Sequence, residues 1–233
     1  MPESIPVSYF QNLSDDTRLV EVLETLKSAL KARPHGLDEQ SDALIDHLSS
    51  IITNQTLDNL NAETITEIGE LGSHLLEKLY FESLTNVDHR RMYDFLALAF
   101  AYWIVRNEGS INQLEFFVVA LAHTANIVHD KTSLESLYEV ATFIVYATND
   151  ELKSESEGSD LDDPWKVLIM NYSIIATRTH TPELMESAYK ILIQYFPEDA
   201  PGFFRKAMSE MDRLNYPQYV CNVVKRYYAR YQK

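Results

Sequence analysis

The sequence predicts an all-α protein of about ten helices. Three observations carry this: turn-forming residues are scarce, apolar residues recur at helical spacing, and prolines punctuate the last third at near-even intervals. Six Gly and eight Pro in 233 residues leave little material for the tight turns of a β-sandwich, and almost none for a phosphate-cradling loop. With 45% hydrophobic and 24% charged residues the chain has enough apolar surface to fold.

The elements follow in order. Ser14 has the character of an N-cap, and Leu19, Val22, Leu23, Leu26 and Leu30 then form one helical face ending near Arg33-Pro34. Leu44, Ile45, Leu48, Ile51 and Ile52 predict a second helix, and Asn61 caps a third stripe of Ile65, Ile68, Leu71, Leu75 and Leu79. The segments Phe95 to Val105 and Phe116 to Leu121 are apolar around the whole circumference, which predicts central helices over 88–107 and 112–129. A sixth helix is expected from near Ser133 to about Thr148. Residues 149–163 carry seven acids against Lys153 alone and predict an acidic, mobile loop within a single helical domain spanning 1–233.

Beyond that loop Pro164, Pro182, Pro201 and Pro217 lie where helices should begin, with Asp163 and Thr181 as caps. Alternate prolines stand 37 and 35 residues apart, which predicts antiparallel helical hairpins stacked in a solenoid-like array. The other architecture compatible with these helices is an irregular bundle. Trp165, Leu168 and Tyr172, followed by the run Ala188 to Asp199, resemble a tetratricopeptide repeat over about residues 163–199. Ile169 and Met185 depart from that family's small-residue positions. The resemblance implies hairpin stacking and carries no binding residue with it.

A net charge of −15 disfavours nucleic-acid and anionic-membrane partners. The longest apolar stretch has eleven residues, short of the roughly 20 that span a bilayer. Met1 to Phe10 hold two prolines and no apolar run, so no secretory leader is expected, and the single Cys221 excludes an internal disulfide. These features predict a cytoplasmic protein. From Arg205 onward seven basic residues face only Glu210 and Asp212, a local balance of +5 against −20 on the preceding 204 residues.

No catalytic signature emerges. His129-Asp130 is the sharpest enzymatic candidate, because adjacent imidazole and carboxylate at a helix end resemble the start of a binuclear site in His-Asp metallohydrolases. His123, six residues earlier, points about 120° away around a helix and is not a natural co-ligand. The structural alternative makes His129 a helix C-cap and His123 a satisfied packing residue. The aspartates Asp160, Asp162 and Asp163 lack the spacing of a calcium loop. The final helix interleaves Tyr219, Tyr227 and Tyr231 with basic residues, a pattern that can bind single strands but equally suits a terminal capping helix.

The expectation is therefore a non-catalytic helical-repeat module that binds a protein or peptide, without a cofactor, through Arg205, Lys206, Lys225, Arg226 and Arg230. The alternative is a metal-dependent hydrolase centred on His129 and Asp130. A further expectation is that the acidic loop docks on this basic segment and is displaced by an acidic peptide.

Overall fold

The computed structural model describes residues 15–32, 36–53, 60–84, 86–155 and 163–231. Among them the chain forms eleven α-helices and no strand, with a single parallel bridge between Ile111 and Thr148. The helices are α1 (Asp16–Lys31), α2 (Glu39–Thr53), α3 (Ala62–Ser83), α4 (Val87–Arg106), α5 (Glu115–Ile127), α6 (Lys131–Ala147), α7 (Asp150–Glu155), α8 (Pro164–Arg178), α9 (Pro182–Tyr195), α10 (Ala200–Leu214) and α11 (Gln218–Tyr231).

Short polar side chains set several starts by accepting from otherwise unpaired backbone N–H groups. Asp15 does this for α1, Asn61 for α3, Asn86 for α4, Asp130 for α6 and Asp163 for α8. The expected cap Ser14 lies outside the described residues. Because Asp130 accepts from the Ser133 N–H at 2.9 Å, α6 begins at Lys131, two residues before the expected start. Thr181 stands at the α9 N-cap, yet its hydroxyl donates to Glu135 of α6 at 2.9 Å and does not cap the helix. Pro217 lies one residue ahead of α11, and its carbonyl accepts from the Val220 and Cys221 N–H groups.

Two further expectations are corrected. Helix α5 starts at Glu115 because Ile111 is held in extended pairing, its N–H donating to the Ala147 carbonyl and its carbonyl accepting from Asn149 N–H. The first part of the acidic segment is the helix α7, steadied by Lys153, which pairs with Asp150 at 3.0 Å and lies over the Trp165 ring. Residues 156–162 lie outside the described set.

Helix α4 occupies the middle of the first half, packed by α1, α3, α5 and α6, as its all-round apolarity requires. Ala97, Leu98, Ala99 and Ala101 are wholly buried there. Gly72 of α3 permits the approach of α4: a Cβ at that position would come within 2.0 Å of the Phe100 ring. The array continues as α6 packs on α8, α8 on α9, α9 on α11 and α10 on α11. Among the described residues its principal contacts join helices no more than three places apart, so the helices progress along the array. One contiguous apolar core nonetheless runs from Leu19 to Val224.

Candidate functional site

Along the hairpin α8–α9, Trp165, Leu168, Ile169 and Tyr172 are buried on α8 and Met185, Ala188, Tyr189 and Leu192 on α9. Helix α10 is different. It buries only Ala200, Phe204 and Met211, and its principal contact is with α11. Standing off from α8, it leaves an open cleft of about 260 Å³ between the two helices.

The cleft is mostly apolar. Ile174 of α8 is 43% exposed on one wall and Leu214 of α10 is 52% exposed on the other, with Phe203, Ala207 and Met211 between them. Large aliphatic side chains this exposed and facing a common space differ from scattered surface leucines, which need no explanation. Helix α10 closes on Asn215 in the left-handed conformation (φ 55°), a residue type that tolerates that region. The turn brings the Tyr216 ring against His180, with centroids 4.4 Å apart. Tyr216 is another lining residue of the cleft.

Arg178 and Lys206 supply cations to this surface. The Arg178 guanidinium donates to the carbonyls of Ala125 and Val128, the latter at 2.5 Å, and Nη2 lies 3.4 Å from His129 Nδ1. It thereby satisfies carbonyls at the end of α5, the role the sequence offered to His129. Burial draws its pKa below the ordinary arginine value, and no carboxylate pairs with it among the described residues. Burial and the charge of Lys131 similarly hold His180 below the usual histidine range. Burial also raises the Tyr216 phenol, against the pull of Arg178. Glu210 lines the cleft too, and its carboxylate is engaged by Arg213 at 2.6 Å.

Of the five basic residues selected from the sequence, only Lys206 lines the cleft. Arg226 pairs with Glu186 of α9 at 2.6 Å, Arg230 lies over the Tyr231 ring, and Arg205 and Lys225 are exposed. The aromatic face of α11 is partly consumed by packing, with Tyr227 against Tyr189 and Phe204, which leaves less of it for stacking bases.

The structure gives His129 and Asp130 other work. Asp130 caps α6, His129 stands beside a guanidinium, and His123 hydrogen-bonds the buried Asp94 of α4. No group of three or more His, Cys, Asp or Glu among the described residues is placed to hold a metal ion. Arg178, Tyr216, Ile174 and Leu214 were not selected from the sequence, because each continues an ordinary helical or turn pattern and nothing local marks it as cleft-lining. Among the described residues no helix is long and apolar enough to cross a membrane. Comparison with protein families, curated proteins and solved structures finds no match.

Proposed function

We propose that the protein is a non-catalytic interaction module that receives a segment of a partner protein in the cleft between α8 and α10. The observation that carries this reading is the pair of exposed aliphatic walls, Ile174 and Leu214, facing a common cavity in a strongly acidic molecule. The resemblance of residues 163–199 to a tetratricopeptide hairpin belongs to the same proposal, supported by the burial of Trp165, Leu168 and Tyr172 on one helix. A cytoplasmic setting also belongs to it, in keeping with one buried, unpaired cysteine.

Panning displayed random peptides against the full chain, with counter-selection on an Ile174→Glu/Leu214→Glu variant, tests the reading. Both substitutions are at exposed positions, so the variant should keep its helical circular dichroism and melting temperature. Enriched peptides that bind the native chain and lose the folded variant support the cleft. Peptides that bind both equally, or no enrichment at all, refute it.

A further inference from the structure

We infer that the cleft takes an apolar peptide segment carrying an acidic side chain, whose carboxylate is received by the cations that line it, Arg178 and Lys206. This inference rests on the interaction reading above. Its basis is the charge lining the cavity.

Two cations line the cleft, and neither has a carboxylate partner among the described residues: Arg178 on the α8 side and Lys206 on the α10 side. His129 Nδ1 lies 3.4 Å from the guanidinium, and Tyr216, against which His180 is packed, lines the same cleft. Glu210, the acid that lines the cleft with Arg178 and Lys206, is engaged by Arg213 at 2.6 Å. The lining therefore carries two cations without a carboxylate partner and one acid paired with Arg213, in a protein of net charge −15, which favours an anionic group there.

The same geometry limits the anion. Arg178 spends donors on the carbonyls of Ala125 and Val128, and its Nη2 also faces His129, so few of its five N–H groups remain. That suits a carboxylate better than the three acceptor oxygens of a phosphoryl group. The cavity volume suits a few apolar side chains, with the partner's backbone lying across the mouth.

The probe is the most enriched cleft-dependent peptide from the panning, made as a fluorescein conjugate together with its Asp/Glu→Asn/Gln counterpart and a phosphoserine version. Titration by anisotropy uses the full native chain and a Lys206→Glu variant, which alters one exposed residue and leaves the α5 cap intact. The expected result is about tenfold weaker binding on amide substitution in the native chain, and a much smaller effect in Lys206→Glu. Equal affinity of the acidic and amide peptides overturns the inference while leaving the cleft reading standing. A phosphoserine peptide binding tenfold more tightly than the acidic one also overturns it. Absence of any cleft-dependent peptide removes the interaction reading itself.

Discussion

His123 of α5 hydrogen-bonds the carboxylate of Asp94 on α4, and Arg90 one turn earlier meets the same carboxylate at 3.1 Å. Asp94 is 1% exposed and Arg90 lies over the rings of Tyr80 and Tyr93, so this polar cluster is built into the α4–α5 contact. Asp94→Ala strands a largely buried guanidinium and should cost about 3 kcal/mol or more in urea unfolding. The pH dependence gives a second readout. Burial raises the Asp94 pKa above its ordinary value of 3.8, against the opposing pull of His123 and Arg90. The folded chain then holds this proton more tightly than the unfolded one, so its contribution to stability falls as pH rises from 3.8 through the raised value. Asp94→Asn removes that fall, and the stability difference between variant and native chain should shift in the variant's favour across that window. Parallel profiles would contradict it.

Gly72→Ala tests the closeness of α3 and α4. Alanine gains about 1 kcal/mol of helix propensity over glycine, but the new methyl would sit 2.0 Å from Phe100 Cε1, and Phe100 is itself stacked on Trp103. Overpacking of this kind costs about 1–3 kcal/mol, so the balance should be destabilising. Thermal melts should show a fall of a few degrees, and Gly72→Ala/Phe100→Leu should regain most of it. A Gly72→Ala chain as stable as the native one would mean that the helices can separate without loss.

Tyr172 of α8 is wholly buried, donates its hydroxyl to Tyr138 of α6 at 2.6 Å and accepts from Thr142 at 3.2 Å. The rings of Tyr138 and Tyr172 are stacked with centroids 4.7 Å apart. Tyr172→Phe keeps the stacking and removes the hydroxyl at the centre of this chain of hydrogen bonds, so it should cost about 1–2 kcal/mol in denaturant unfolding. A neutral result would show that Tyr138 and Thr142 re-pair with each other.

The helical framework was legible because it is written in local patterns. The stripe Leu19 to Leu30, the cap Asn61 and the fully apolar run through Phe95 each need only helical periodicity and capping chemistry to be read. Boundaries failed where a distant residue decided them: Ile111 is drawn out of α5 by backbone pairing with Ala147 and Asn149, and the Thr181 hydroxyl is claimed by Glu135. The cleft failed for the same reason. Ile174 resembles its buried neighbour Ile175 in the sequence, and only the standing-off of α10 exposes it. Arg178 is separated by about fifty positions from the carbonyls it satisfies, so no spacing rule could have joined them.

Asp130 offers a direct separation of its two possible roles. Its carboxylate accepts from the Ser133 N–H, and this hydrogen bond, opposed by partial burial, holds its pKa below the ordinary 3.8. A group with a lowered folded pKa stabilises fully above its unfolded value and loses that contribution as pH falls through the folded one. Asp130→Ala should therefore cost about 1 kcal/mol near neutrality, and the penalty should shrink below pH 3.8 as the native carboxyl takes up its proton. Asp130→Asn, which can still accept from the Ser133 N–H, should restore most of the loss. Neither variant, nor His129→Ala, should alter the response of thermal melts to added Mn, Fe or Zn if capping is the residue's work. A melting temperature raised by one of these ions in the native chain, and insensitive to it in both His129→Ala and Asp130→Ala, would instead assign the pair to a metal and restore the hydrolase reading.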